Sequence, residues 1–222
     1  KNKNRIIAPD LRGHGLSDYP DKGYSVPDLS KDTIALIDQL GVDDFFVVGC
    51  ATGGNLAIWL AAMCPGKVRG IAVIDPGLSV PKDIAEEVKR QTIEEHNFRS
   101  FEEAKSSMHF QELWSDEVKE HYAKYSFKQR RDGRWEWLYA AKPAREISDS
   151  LEKDSVWDLS KKVNCKTVII RGEHSPVFTE EHMTKLNNNM THAESINLVD
   201  SSHTPAQENP AGLAREIQRL ID

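Results

Sequence analysis

The chain has 222 residues, of which 39% are hydrophobic and 29% charged, with a formal net charge of −6. That is room for one substantial core, with either an insertion or a second small domain. No run of about 18 apolar residues offers a membrane span, and the acidic balance argues against a general nucleic-acid binder. Three cysteines, Cys50, Cys64 and Cys165, are odd in number and far apart. They suit a reducing compartment such as the cytoplasm better than a disulfide framework, and no zinc-ligand spacing is present.

Lys1-Asn2-Lys3-Asn4-Arg5 has no initiator Met and leads at once into an apolar run, Ile6-Ile7-Ala8, read as a buried strand. No signal peptide is visible, and the opening leaves targeting undecided. Leu29, Ile34, Leu36, Ile37 and Leu40 then recur at helical spacing up to Gly41. Residues 45–48 form a second strand, followed by Gly49-Cys50-Ala51-Thr52-Gly53-Gly54 and a helical run that stops at Pro65-Gly66. Ile71-Ala72-Val73-Ile74 is a third strand, and residues 167–170 and 195–199 are two more, the last weakly patterned. An amphipathic helix, residues 211–221, closes the chain. Strands alternating with helices predict a doubly wound, mostly parallel sheet.

Residues 81–162 break this rhythm. They are charged, helix-prone and rich in aromatics, Trp114, Trp135, Trp137 and Tyr139 among them. They are read as a helical cap inserted over a core made of residues 1–80 and 163–222. Most of these aromatics are expected to form the insertion's own core, since a lid must bury something to hold together. Cys50, Trp114, Trp135, Trp137 and Tyr139 are the candidate substrate contacts.

The stretch around Ala51 has the small residues of a sharp strand-to-helix elbow. There the central residue takes a strained backbone, and its side chain stands clear of the sheet. Side chains two positions before and after would collide with the turn, hence Gly49 and Gly53, and Gly54 lets the helix lie close to a neighbouring strand. The N–H of Thr52, at the start of the helix, is a candidate oxyanion donor. A phosphate loop would need G-x-G-x-x-G or a Gly-Lys-Ser ending, and neither is present.

Four segments resemble the α/β-hydrolase superfamily. Residues 6–18, IIAPDLRGHGLSD, resemble the strand and loop that precede the nucleophile helix, and the elbow follows at the expected distance. Residues 167–173, TVIIRGE, resemble the penultimate strand, and residues 200–210, DSSHTPAQENP, resemble the loop of the catalytic histidine. The resemblance implies the chain order elbow, acid, histidine, with His203 as general base and His14 a structural or pocket-lining residue. Many members carry the acid in a Gly-x-x-Asp pattern after the penultimate strand, but here the chain reads Gly172-Glu173-His174-Ser175. A second arrangement puts it after the strand that follows the elbow helix, where Asp75 stands, and Asp75 is preferred with Glu173 as the alternative.

In this superfamily the elbow holds a serine; here it holds Ala51, and a methyl group cannot attack a carbonyl. Cys50 is one residue early and Thr52 one late to replace it. Either the alanine is a deliberate replacement that traps ligand without turnover, the preferred reading, or the chain is a natural non-catalytic relative that binds a ligand or partner. The superfamily also begins with further strands and a loop bearing the second oxyanion N–H. About 50 such residues are expected before Lys1. The expectation is therefore a Ser-His-Asp hydrolase of a small hydrophobic ester or lactone, inactivated at Ala51, with no metal or organic cofactor. A carbon–carbon bond hydrolase is the neighbouring alternative, and the oligomeric state, a homodimer included, is left open.

Overall fold

The computed structural model describes residues 4–78, 97–108, 113–138, 146, 147, 149, 150 and 156–222. Its elements, in chain order, are α1 (Val26–Gln39), β1 (Phe45–Cys50), α2 (Thr52–Met63), β2 (Val68–Ile74), α3 (Phe101–Ser106), α4 (Asp116–Ser126), β3 (Phe127–Gln129), β4 (Trp135–Trp137), α5 (Val156–Ser160), β5 (Lys166–Gly172), α6 (Glu180–Asn189), β6 (Ala193–Leu198), α7 (Pro205–Glu208) and α8 (Pro210–Ile221).

Among the described residues the main sheet has four strands in the order β1-β2-β5-β6, all paired parallel. The middles of the two central strands, residues 71–74 and 168–170, are apolar without interruption because both faces are covered there. Ile71, Val73 and Ile169 face one layer, with Ala57 and Ile58 of α2 and Leu186 of α6. Ala72, Ile74, Val168 and Ile170 face the other, under Leu213 and Leu220 of α8. Successive strand residues point to opposite faces, so a run with no polar alternation is what a doubly covered strand requires. The helix α1 packs Leu29 on Leu56 and Leu60 of α2, with Tyr24 beneath. Ser25 caps α1 by accepting from Asp28 N–H, and its own hydroxyl donates to the Asp28 carboxylate, a pairing that lowers the Asp28 pKa.

Two readings need correction. Ile6-Ile7-Ala8 is not a strand: Ile6 is 84% and Ile7 43% exposed, and the segment makes no ladder. A strand exists only by pairing. Here residues 4–9 and residues 45–48 of β1 line one groove of about 990 Å³, and no ladder joins them. The segment between β2 and β5, expected to be helical, carries an antiparallel hairpin, β3 with β4, beside helices α3 and α4. Trp135-Glu136-Trp137 alternates with period two, and the turn before it uses Gly133 at φ 83°. That is a short strand signal masked by the charged helix-formers around it. Phe98, Phe101, Phe127, Trp135 and Trp137 pack on one another there, Phe127 and Trp137 with centroids 4.1 Å apart.

Candidate active site

Three strands deliver the site to one rim of the sheet. Non-glycine residues with positive φ stand just past three strand ends: Ala51 at φ 50° after β1, Asp75 at φ 42° after β2, and Asp200 at φ 52° beyond β6. Such backbone is uncommon outside glycine and gathers where side chains must be aimed abruptly. The Ala51 N–H donates to Ile74 O, which ties the elbow to the strand carrying Asp75.

The elbow is built by sterics. A Cβ on Gly49 would lie 2.0 Å from Gly53 O, and one on Gly54 would lie 3.2 Å from Pro76 Cβ. Gly49 and Gly54 are thus small for the reasons expected. Gly53 is not: a Cβ there meets nothing within 4 Å, and the residue lines the open groove beside β1. Ala51 caps α2 without any side-chain hydrogen bond, and Thr52 is the first helical residue. Gly54 N–H and Asn55 N–H donate back to Ala51 O, and the N–H groups of Thr52 and Gly53, ahead of them, have no acceptor within the helix.

The acid and histidine are built by hydrogen bonds. Asp75 is 0% exposed. Its Oδ1 accepts from the Gly172 N–H at 3.1 Å, and its Oδ2 accepts from Ser175 Oγ at 2.6 Å and from His203 Nδ1 at 2.7 Å. Three donors repay the burial of one carboxylate. A carboxylate only accepts, so the imidazole proton sits on Nδ1 and Nε2 is left with a free lone pair. Glu173 is elsewhere: its carboxylate accepts from Asp200 N–H at 3.3 Å and lies 3.7 Å from His174 Nε2. His14 binds its own loop, Nδ1 to Arg12 O at 3.1 Å.

The loop 200–204 is tied at each residue. Ser201 Oγ donates to Leu198 O, and Ser202 donates from both its N–H and its hydroxyl to Glu208. Gly172 lets this loop approach, since a Cβ there would lie 1.9 Å from Ser202 O. Ser175, Glu208 and Gly172 were not singled out from the sequence. The signal for Ser175 was nevertheless present, because Gly172-Glu173-His174-Ser175 puts a hydroxyl where the Gly-x-x-Asp pattern puts its acid.

Cys50 lies beside the histidine loop, with Sγ 3.9 Å from His203 O. Its residue is open to solvent on one side. Protein crowding on the other, together with the Asp75 charge, pushes the thiol up to about 12, so it is protonated and poorly nucleophilic at neutral pH. Trp114 reaches the loop through a hydrogen bond to Thr204, whereas Trp135 and Trp137 belong to the hairpin packing. Tyr139 lies outside the described residues. Among the described residues, no cluster of three or more His, Cys, Asp or Glu could hold a metal ion, and no helix is long and apolar enough to cross a membrane.

Comparison with known proteins agrees with this architecture. The chain is 28% identical to the esterase Rv0045c of Mycobacterium tuberculosis over 97% of its own length and 74% of the relative's. It is 21% identical to 3-oxoadipate enol-lactonase 2 of Acinetobacter baylyi, over 100% of its length and 80% of the relative's. The crystal structure of E-2-(acetamidomethylene)succinate hydrolase superposes with a TM-score of 0.87 at 20% identity, covering 96% of this chain and 80% of that one. Residues 1–210 match the α/β hydrolase fold family, and the chain belongs to that family of hydrolases.

Proposed function

We propose that this site is the centre of an ester or lactone hydrolase of the Ser-His-Asp type in which Ala51 occupies the nucleophile's place. The observation that carries the reading is the 2.7 Å contact of His203 Nδ1 with the fully buried Asp75, on the same rim as an elbow that holds Ala51 at φ 50°. An orienting carboxylate behind a histidine is what makes that histidine a general base for a hydroxyl nucleophile. The relatives include an esterase and an enol-lactonase, which supports an acyl substrate. A small hydrophobic ester or lactone is the ligand class; neither nucleic acid nor membrane is a partner in this reading.

With serine at position 51 the chemistry would run in order. His203 Nε2 takes the hydroxyl proton while Asp75 holds the ring and stabilises the imidazolium. The oxygen attacks the acyl carbon, and the Thr52 N–H at the start of α2 donates to the developing oxyanion. The imidazolium then protonates the leaving alcohol, and a water deprotonated by His203 releases the acid. With alanine the first step has no nucleophile, so the chain binds acyl ligand with little or no turnover.

The test is to compare the chain with Ala51→Ser and with the double variant Ala51→Ser, His203→Ala on p-nitrophenyl esters and a lactone panel. Turnover that appears with serine and vanishes without the imidazole is expected. The retained methyl also suits a second reading, a ligand-binding protein on this scaffold. Saturable ligand binding in the Ala51 chain, with no turnover in the serine variant on any acyl substrate, would favour it instead.

A further inference from the structure

We propose that Trp114 is a positioning residue for His203: the segment between β2 and β5 sets the histidine loop through the hydrogen bond Trp114 Nε1–H to Thr204 Oγ1. The inference extends the hydrolase reading of the site and rests on it only for its kinetic arm.

The contact joins residues ninety positions apart at 2.8 Å. Trp114 is 7% exposed, and its ring lies edge-on to Tyr122 of α4 with centroids 4.9 Å apart. The indole N–H is therefore aimed by a packed ring and not by a free one. Thr204 follows His203 directly and stands at the N-cap of α7. A threonine there ordinarily turns its hydroxyl back to the helix N–H groups. Thr204 makes no such capping bond, and its backbone carbonyl alone takes Gln207 N–H and Glu208 N–H. The hydroxyl has been diverted from the local cap to the distant indole.

The other ties on this loop come from the strand ends and from α7. Glu173 holds Asp200, Glu208 holds Ser202, and Asp75 holds the His203 ring. Trp114 supplies the tie from the segment between β2 and β5, one residue beyond the imidazole. The same segment grips the opposite loop, where Leu138 O accepts from the Gly15 N–H and from the Tyr19 hydroxyl. A body fastened at two loops of the rim can transmit its placement to the ring at His203. Removing the indole donor frees the Thr204 hydroxyl to return to the cap of α7. The loop then loses its tie one residue beyond the imidazole, and the ring is left to the Asp75 contact alone.

The experiment uses Trp114→Phe, which keeps an aromatic ring on Tyr122, Thr204→Val, which removes the acceptor, and Thr204→Ser, which keeps it. In the chain with Ala51, the ¹⁵N and ¹H resonances of the His203 imidazole are followed through a pH titration. Trp114→Phe and Thr204→Val are expected to shift or broaden the Nδ1–H signal alike, with Thr204→Ser matching the parent. In the Ala51→Ser background the same two variants are expected to lower kcat about threefold to tenfold, the worth of one neutral hydrogen bond, with KM unchanged. Their double variant should be no worse than either alone. Unchanged His203 resonances in both variants would overturn the proposal, and so would a rise in KM at constant kcat, which would make Trp114 a substrate contact. Absence of turnover in Ala51→Ser itself would defeat the hydrolase reading, while the resonance comparison still decides the role of Trp114.

Discussion

The two halves of the candidate site are held by different physics. The elbow half is a matter of backbone and space: Gly49 and Gly54 clear room, Ala51 sits at φ 50°, and its side chain makes no cap hydrogen bond. The acid–histidine half is a matter of polar side chains: a buried carboxylate takes three donors, one of them the imidazole. No hydrogen bond of the elbow depends on the side chain at position 51, because Ala51 is tied through its own N–H and carbonyl. The other half keeps its shape only while each partner is present. A methyl group at position 51 therefore leaves every hydrogen bond of the elbow in place, whereas loss of Asp75 removes the acceptor that three donors share.

Asp75→Asn is the hardest blow to this comparison. The amide retains one acceptor oxygen but cannot hold an imidazolium, and its N–H₂ faces donors. In the Ala51→Ser background kcat should fall by about 10⁴-fold, the scale for the wrong tautomer in such a triad. Glu173→Gln should stay within about twofold, since an exposed pair of this kind contributes little. Steady-state kinetics of the two variants decide the matter, and a severe Glu173 effect beside a mild Asp75 effect would reverse the assignment. Cys50 sharpens the comparison from the elbow side. Its thiol is raised from 9.0 to about 12, so at pH 8 its thiolate fraction is about a thousandfold below that of an unshifted cysteine. The more basic thiolate is also more nucleophilic, which offsets part of that loss, so Cys50 should alkylate with iodoacetamide roughly tens of times more slowly than an unshifted cysteine, and its pH–rate profile should still be climbing at about pH 10. A plateau near pH 8 would refute the shift.

Much of this was legible before any coordinates. Alternation of strand and helix gave the parallel sheet because residues 71–74 of β2 and 168–170 of β5 are apolar on both faces, and chain order brought Asp75 and His203 to strand ends on one rim. The strand expected at residues 6–8 was not observed, because an apolar run says nothing about whether a partner backbone lies alongside. The hairpin β3–β4 was hidden because six residues of strand are too few to outweigh their helix-prone surroundings. Gly53 was assigned a steric duty by symmetry with Gly49, and only the three-dimensional turn distinguishes them. The Trp114–Thr204 bond left no mark in sequence at all, because a contact across ninety residues has no periodicity.

Glycine substitutions strike the halves separately. Gly172→Ala puts a Cβ 1.9 Å from Ser202 O, and Gly49→Ala puts one 2.0 Å from Gly53 O, backbone in both cases. Each should cost about 1–3 kcal/mol by forcing the chain apart, read as a lowered Tm or a lowered denaturant midpoint. Gly172→Ala should also disturb the His203 imidazole, because the carbonyl it displaces belongs to the preceding residue. Gly53→Ala should do neither and should gain up to about 1 kcal/mol from helix propensity. If Gly53→Ala were as damaging as Gly49→Ala, the open placement of Gly53 would be wrong.

The smallest effect bears most directly on why a side chain stands at the elbow. A residue with a Cβ at φ 50°, ψ −118° is strained, and glycine would relieve that strain. Glycine also loses more conformational entropy on folding, which offsets part of the gain. The balance at positive φ favours glycine, so Ala51→Gly should stabilise the chain by about 1 kcal/mol and raise Tm by about 2–4 °C. Ala51→Ser should leave Tm nearly unchanged, because both residues carry the same Cβ. A gain with glycine and none with serine would mean that the elbow holds its side chain at a cost to stability, which a purely structural turn has no reason to bear. A loss with glycine would mean that the Ala51 methyl packs usefully where it stands, and the elbow would then be an ordinary turn in which alanine is the best residue.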